Sequence, residues 1–283
     1  MPGTLFVVAT PMGNLEDVTL RALRVLRDVD LIAAEDTRRT ARLLAKHAIA
    51  TPMMSFHEHN TRTRLPELIA RLRAGQSVAI VTDAGTPGIS DPGVELVDSC
   101  VAAGIPIDPI PGVSAAITAA MASGFPLIPL TICGFPPHRS KDRNDWIRKC
   151  SETPSTFTFF ESPHRIVGTL RACGELLGNR PIVIGRELTK IHQQFIRGTA
   201  ATVVSRIPVP VKGEFTVVIG PMTNHGASAE RPDPEDIADL FRQKTKTGMS
   251  RRAAISGTAK ELGVSSKTVY AAVERAKIGP KTE

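Results

Sequence analysis

The chain has 283 residues, of which 42% are hydrophobic and only 4% aromatic, and its formal net charge is +7. This length predicts two domains and a small additional module, and the positive charge favours a polyanionic partner without establishing one. The four cysteines form no CxxC pair, which argues against a cysteine-built zinc site and favours a reducing compartment. Since neither a signal peptide nor a membrane-spanning segment fits the sequence, we expect a cytoplasmic protein that makes no membrane contact.

The first predicted strand opens an α/β pattern. Residues 4–10 form a continuous β-prone run, residues 11–14 (PMGN) form a turn, and Leu20, Leu23 and Leu26 mark the helix that follows. A strand ending in such a turn suits a nucleotide site. The GxGxxG pattern is absent, however, so an ordinary NAD site or a P-loop is disfavoured.

The second predicted strand, residues 30–34, delivers a charged cluster to the same edge of the sheet. Asp36 is expected to cap the next helix. Four basic side chains follow on that helix, at Arg38, Arg39, Arg42 and Lys46. This pattern is typical either of a solvated helix face or of a face that contacts phosphates.

The third predicted strand, residues 52–56, is followed by His57 and His59. If the strand continues, both rings point to the same side, which is how a metal site can begin. The sequence places no third ligand. We therefore predict no metal and prefer a polar rim for a substrate pocket.

The loop at residues 83–93, DAGTPGISDPG, lies between an apolar β-prone run and a helical pattern. It is therefore at the carboxyl end of a buried strand, where open α/β sheets bind ligands. Its glycines and prolines allow sharp turns and a close approach to a ligand, and Ser90 or Asp91 is expected to cap the next helix. A plain strand-to-helix connection is the alternative, but it needs only about 2–6 residues, so a ligand loop is favoured.

Two α/β domains are predicted before the tail. The first, residues 1–124, contains a parallel sheet. Its last strand, residues 106–110, leads through PGVSAA into an alanine-rich helix. The free N–H groups at the amino terminus of that helix suit an anion. The second, residues 125–222, has a mixed sheet. Several of its strand ends carry charged residues, namely Glu161, Glu187, Lys212 and Glu214.

The last part of the chain is predicted to be a separate helical module. The composition of residues 223–233 indicates a linker, and residues 234–283 contain three helical patterns. Residues 259–270 have the glycine turn and apolar spacing of a helix-turn-helix, with Lys267 at the start of the second helix. A small packing or dimerisation bundle is the alternative.

Several motifs occur together and in order, namely VATPMGN, AAEDTRRT, SFHEHN, VTDAGTPGISDPG, PIPGVSA, FFESPHR, GRELTKIHQQFIRGT and KGEF. In these motifs the chain resembles the ribosomal small-subunit RNA (cytidine-2′-O)-methyltransferase I family of the tetrapyrrole methylase superfamily. The tail resembles that family's helix-turn-helix domain. The resemblance implies an α/β fold with two domains of the class III methyltransferase type, a small all-α carboxyl-terminal module, and a homodimer. It also implies methyl transfer from S-adenosylmethionine to a cytidine 2′-hydroxyl in the decoding region of small-subunit RNA, either naked or in the assembled 30S subunit.

Carried over position by position, the resemblance places S-adenosylmethionine in the cleft between the two α/β domains, held largely by backbone groups. The residues expected to line this site are Pro11, Asp83, Ala84, Gly85, Thr86, Ser114 and Ala115 in the first domain, with Leu188 and Phe215 in the second.

Methyl transfer from a sulfonium mainly requires alignment of the ribose oxygen and exclusion of water, without a metal. A group within hydrogen-bond reach can take the hydroxyl proton, and the candidates are Glu35, His57 and Glu161. Phosphate contacts are expected from Arg38, Arg39, Arg165, Arg186, Lys212 and Lys267. Each of these residues also has a structural interpretation as a helix cap, an ion pair or a solvated charge.

Two other functions are compatible with parts of the sequence. One is a methyltransferase for a small tetrapyrrole-type molecule, which the basic strips and the tail disfavour. The other is a nucleic-acid binder whose α/β part only senses a ligand. Such a protein would bind nucleic acid in a salt-dependent way without turnover.

Overall fold

The structure is a computed structural model that describes residues 1–90, 93–222, 234–262 and 264–278. The chain divides into two compact units, Met1–Met222 and Thr223–Glu283, here called the α/β unit and the helical unit. The linker predicted at residues 223–233 lies outside the described residues. Asp91 and Pro92 of the loop at residues 83–93, here called the central loop, also lie outside them. Among the helices that are described, none is long and apolar enough to cross a membrane.

The α/β unit begins with a five-stranded sheet that is parallel throughout, in the order β3-β2-β4-β1-β5. Its strands are β1 (Leu5–Val8), β2 (Leu31–Ala34), β3 (Met53–Ser55), β4 (Val78–Val81) and β5 (Ile107–Ile110). Its helices are α1 (Leu20–Asp28), α2 (Thr37–Lys46), α3 (Thr61–Arg73), α4 (Val94–Ala102) and α5 (Ala115–Met121). The five predicted strands are all present, each slightly shorter than predicted.

Both faces of this sheet are covered by helices, which explains why its strands are continuous apolar runs. Ile32 and Val81 pack with residues of α1 and α2 on one face. Ala33 and Ile80 pack with residues of α3 and α4 on the other. Because all five strands are parallel, their carboxyl ends and the loops that follow them meet at one edge.

The second sheet is mixed, with strand order β6-β7-β10-β8-β9. Its strands are β6 (Leu130–Ile132), β7 (Thr156–Glu161), β8 (Ile182–Arg186), β9 (Gln194–Gly198) and β10 (Phe215–Ile219). Strands β6 and β7 are parallel, and the other pairs are antiparallel. One face packs against α6 (Ser140–Ser151), α7 (Ile166–Leu177) and α8 (Ala200–Val204).

Helix α5 connects the two sheets. Its buried face consists of Ala116, Ala119 and Ala120, and the helix contacts strands β7, β8 and β10. Ala119 packs in one cluster with Val183 and Val218 of the second sheet. The helix predicted as part of the first domain therefore covers a face of the second sheet, which places the loop before α5 next to both sheets.

The helical unit contains α9 (Pro234–Lys246), α10 (Arg251–Leu262) and α11 (Ser266–Ile278). Its core includes Ile237, Phe241, Ala254 and Val269. The three predicted helices are present, and Lys267 lies exposed in the first turn of α11. The α/β unit contains two sheets that pack against helices, and the carboxyl-terminal unit is helical. The predicted fold class is therefore confirmed.

Candidate functional site

A cleft of about 390 Å³ opens at the carboxyl edge of the first sheet, facing strand ends of the second. Its walls come from the loops after β1, β2, β4 and β5, and from β7, β10 and the loop after β8. Nearly all of the residues expected to line a cofactor site do line this cleft, namely Asp83, Ala84, Gly85, Thr86, Ser114, Ala115, Leu188 and Phe215. A cavity of this volume accommodates a small-molecule ligand.

The turn after β4 is held by the loops that follow β1 and β5. The Thr10 N–H donates to the Gly85 carbonyl at 2.9 Å, and the Gly85 N–H donates to the Thr10 carbonyl at 2.8 Å. The Thr86 hydroxyl donates to the Val113 carbonyl at 2.9 Å. Gly85 has a φ of 89°, which favours glycine strongly, so the shape of this turn depends on that residue. The loop therefore presents a fixed backbone surface to the cleft.

Two other glycines shape the same edge of the sheet. Gly93, with a φ of 143°, is the N-cap of α4, and within the described residues no side chain caps that helix. The prediction that Ser90 caps α4 was therefore wrong, and Asp91 lies outside the described residues. Gly112 allows the loop after β5 to pass close to β1, because a Cβ atom at this position would lie 2.8 Å from Ala9 Cβ.

Two carboxylates, Glu35 and Asp83, meet in the cleft. Glu35 Oε2 accepts a hydrogen bond from the Thr82 hydroxyl at 2.7 Å and another from the Asp83 N–H at 3.1 Å. Glu35 Oε1 has no hydrogen-bond partner in the described part of the chain. Burial raises the pKa of Asp83, and the charge of Glu35 raises it further, while Arg39 at 3.5 Å opposes this effect. One oxygen of Glu35 is therefore available to a ligand.

The charged residues at the start of α2 occupy different environments. Asp36 accepts a hydrogen bond from the Arg38 N–H at 2.9 Å, which confirms it as the helix cap. The Arg38 guanidinium pairs with Asp36 at 2.8 Å and is 87% exposed, and it holds the pKa of Asp36 well below its usual range. Arg39 instead lines the cleft. Of these two arginines, only Arg39 reaches the candidate site.

Glu161 lines the opposite side of the cleft, but its side chain is fully buried and surrounded by donors. The Arg165 guanidinium lies 3.0 Å from one oxygen and 3.1 Å from the other. The Thr169 hydroxyl donates to Glu161 at 2.6 Å, and the Ser162 N–H donates at 2.9 Å. Arg165 also donates to the Pro136 carbonyl. This buried ion pair holds the end of β7 to α7, so both side chains are engaged within the fold.

An apolar wall faces the central loop. Leu188 is buried, and Gly185 leaves room for it, since a Cβ atom at position 185 would lie 2.8 Å from Leu188 Cδ2. Phe135 and Phe160 also line the cleft, with ring centroids 5.4 Å apart. Such a wall suits stacking or apolar contact with a planar heterocycle. The sequence analysis did not select these two phenylalanines, although Phe160 directly precedes Glu161 at a predicted strand end, which was the available signal.

A second cavity, here called the side cavity, has a volume of about 380 Å³. It shares five lining residues with the cleft, namely Met12, Arg39, Asp83, Ala84 and Glu214. Pro11, expected in the cofactor site, lines the side cavity and not the cleft. The other walls come from the turn after β1, helix α2 and Lys190.

The remaining predicted residues line neither of these two cavities, namely His57, Arg38, Arg165, Arg186, Lys212 and Lys267. The backbone N–H of His57 donates to Asn60 Oδ1 at 2.9 Å. The ring centroids of His57 and His59 are 6.0 Å apart. Arg186 donates to the Lys212 carbonyl at 2.8 Å. Within the described ranges, no group of three or more His, Cys, Asp or Glu residues has the arrangement of a metal site.

Comparison with known proteins identifies related sequences. Residues 4–204 match the family model described as Tetrapyrrole (Corrin/Porphyrin) Methylases. A relative from Halalkalibacterium halodurans, named Ribosomal RNA small subunit methyltransferase I, is 42% identical over 276 residues, which cover 95% of this chain and 93% of the relative. A relative of the same name from Thermotoga maritima is 47% identical over 218 residues, which cover 77% of this chain and 98% of the relative. The solved uroporphyrin-III-C-methyltransferase from Thermus thermophilus has the same fold, with a TM-score of 0.53 and 22% identity over 77% of this chain and 94% of that one.

Proposed function

The chain belongs to the tetrapyrrole (corrin/porphyrin) methylase family, and from this premise we propose that it uses S-adenosylmethionine to methylate the 2′-hydroxyl of a cytidine in small-subunit ribosomal RNA. The observation that carries this proposal is the 42% identity to a relative named Ribosomal RNA small subunit methyltransferase I over 95% of the chain. That span reaches into both the α/β unit and the helical unit. The proposal therefore concerns the whole protein, not only its fold.

The residues of the cleft fit a sulfonium compound that carries an adenosine group. Backbone and small side chains at Ala84, Gly85 and Ser114 allow close contact, and Leu188 and Phe215 supply apolar surface. The carboxylates in the cleft complement a positive charge. These groups would hold the cofactor, which supplies an electrophilic methyl group when bound.

Glu35 is the best supported candidate for the group that accepts the ribose proton. The two hydrogen bonds to its Oε2 fix the carboxylate, while Oε1 has no partner in the described part of the chain. With the cofactor bound, Oε1 would accept the proton that the ribose hydroxyl loses on methylation. Glu161 is less suited because both of its oxygens are engaged, and His57 lines neither cavity. Both residues stay as predictions.

The activity is tested with purified protein, methyl-labelled S-adenosylmethionine and small ribosomal subunits from cells that lack this chain. We expect label in the ribosomal RNA, and mass mapping should locate it on the ribose of a cytidine. Label on a base would contradict the 2′-hydroxyl assignment. Label on an added tetrapyrrole precursor, with none on RNA, would favour the small-molecule alternative. RNA binding without turnover would favour a non-catalytic binder.

The proton acceptor is tested with the variants Glu35→Gln, His57→Ala and Glu161→Ala at saturating cofactor. General-base catalysis typically contributes about 10²–10⁴-fold, so Glu35→Gln should lower kcat by a factor in that range. Calorimetry with S-adenosylhomocysteine should show that this variant still binds the cofactor. Full rates for all three variants would remove the general-base hypothesis.

The proposal extends to the partners and the location. Among the arginines and lysines expected to contact phosphates, Arg39 is the one that lines the cleft. We retain the others as weaker candidates, namely Arg38, Arg165, Arg186, Lys212 and Lys267. We also propose a homodimer that acts in the cytoplasm. Sedimentation of the purified protein tests the dimer. Parallel methylation assays with naked RNA and with 30S subunits show which form is the substrate.

A further inference from the structure

The side cavity is lined by more positive than negative side chains. Its three cations are Arg39, Arg42 and Lys190, and its two carboxylates are Asp83 and Glu214. The lining therefore carries a net charge of +1 when all five groups are ionised. Whether the side cavity favours an anionic occupant therefore depends on which of these cations lacks a carboxylate partner.

The unbalanced charge is at Arg42. Lys190 Nζ lies 2.8 Å from a Glu187 oxygen and 3.1 Å from a Glu214 oxygen, so its charge is compensated. Arg39 lies 3.5 Å from Asp83. Arg42 is exposed on α2 and has neither an ion pair nor a hydrogen bond among the residues that the structure describes. Its guanidinium is free to bind an anion.

The other walls of the side cavity are well ordered by the fold. The Thr10 hydroxyl donates to the Thr82 carbonyl at 2.9 Å, which fixes the strand ends at its base. The stem of Lys190 crosses the turn after β1 at Gly13, where any Cβ atom would collide with it. The absence of a side chain at Gly13 therefore lets Lys190 close one side of the cavity. Substitution at this position would displace the lysine.

The side cavity adjoins the cleft, because five residues line both. An occupant of one therefore lies beside an occupant of the other. In RNA the phosphodiester group is bonded to the ribose and carries a single negative charge. If the ribose reaches the cleft with its 2′-oxygen, a neighbouring phosphodiester group must lie close by.

We propose that the side cavity is the subsite for the phosphodiester group adjacent to the methylated ribose, with Arg42 as its main contact. This inference rests on the proposed function and deepens it by assigning a substrate subsite. The planar guanidinium can donate two parallel hydrogen bonds to phosphate oxygens, which suits it to this role better than an ammonium group. Arg39, at the boundary of the two cavities, orients the same group.

The test compares Arg42→Ala with Lys46→Ala. Lys46 is a matched control because it is an exposed cation on the same helix and lines neither cavity. The substrate is the small ribosomal subunit from cells that lack this chain. For Arg42→Ala we expect KM to rise about tenfold with little change in kcat. The slope of log affinity against log salt should fall by about 0.7–1, as for the loss of one phosphate contact.

Lys46→Ala should behave like the wild type, and Arg42→Lys should recover part of the loss. Thermal unfolding should show that all variants are folded, since both positions are exposed. Calorimetry should show unchanged binding of S-adenosylhomocysteine to Arg42→Ala.

Four results would overturn the inference. One is an unchanged KM and salt slope for Arg42→Ala, and another is an equal loss in Lys46→Ala. The third is weaker binding of S-adenosylhomocysteine to Arg42→Ala, which would assign the cavity to the cofactor. The fourth is competition by inorganic phosphate as strong as that by an RNA fragment, which would indicate a site for free phosphate. If the wild type methylates nothing, the proposed function fails, and direct binding of subunits to the variants still tests the cavity.

Discussion

Replacement of Arg165 by methionine should destabilise the α/β unit. The change removes the contacts of 3.0 and 3.1 Å to Glu161 and leaves this carboxylate with only the Thr169 hydroxyl and the Ser162 N–H as donors. The Glu161 side chain is 0% exposed, so water does not replace the lost partner. The buried charge would therefore be incompletely compensated.

The expected loss follows from the burial of the pair. Removing one partner of a buried ion pair costs about 3–5 kcal/mol of unfolding free energy. The Arg165 side chain is 18% exposed, and the resulting screening favours the lower end of that range. In a unit of this size, each kcal/mol lowers the unfolding midpoint by about 2–4 °C, so a loss of about 3 kcal/mol corresponds to about 6–12 °C.

Thermal unfolding followed by circular dichroism at neutral pH measures this effect. The double variant Glu161→Met with Arg165→Met should recover much of the loss, because it buries no charge. Arg148→Met is a matched control, since its ion pair with Asp145 is 58% and 62% exposed and should contribute less than about 1 kcal/mol. An unchanged midpoint for Arg165→Met, together with weaker subunit binding, would refute this reasoning and support Arg165 as a phosphate contact.

Three further predictions concern the central loop, the paired carboxylates and the helical unit. Gly85→Ala meets no close neighbour but must adopt a φ of 89°, so it should cost about 1–2 kcal/mol and weaken S-adenosylhomocysteine binding; unchanged calorimetric affinity would contradict this. The pKa of Asp83 is raised above its ordinary 3.8 in the folded protein. The unfolded chain therefore loses this proton at a lower pH than the folded protein does, and stability falls as the pH rises from the unfolded pKa to the folded pKa. Asp83→Asn should therefore be more stable than the wild type at neutral pH, with the advantage disappearing in acid below the unfolded pKa; denaturant titrations across the acidic range test this, and a difference independent of pH would argue against it. Val269→Ala removes a fully buried side chain from α11 and should lower the stability of the helical unit by roughly 1–3 kcal/mol, visible as faster amide hydrogen exchange in that unit; unchanged protection would show that this core packs differently.

Much of the candidate site was predictable because it consists of loops at one edge of a parallel sheet. The apolar runs before Glu35 and Asp83 indicated buried strands, and parallel strands bring their carboxyl ends together. The glycine pattern around Gly85 indicated a turn of special backbone geometry, and its φ of 89° agrees. Leu188 and Phe215 were selected only through family resemblance, since nothing local in their segments indicates that they face this loop.

The sequence by itself determined the α/β class, the order of the elements, the glycine-rich loop after β4 and the helical tail, because apolar periodicity and turn chemistry are local properties of the chain. Only the tertiary structure decided which charged side chains are free for a ligand. Arg165 is engaged by a buried carboxylate and Arg38 by its own helix cap, whereas Arg42 has no described partner and lines a cavity. The physical reason is that the environment of a charge depends on burial and on groups brought close by folding, and neither can be read from residue type or spacing.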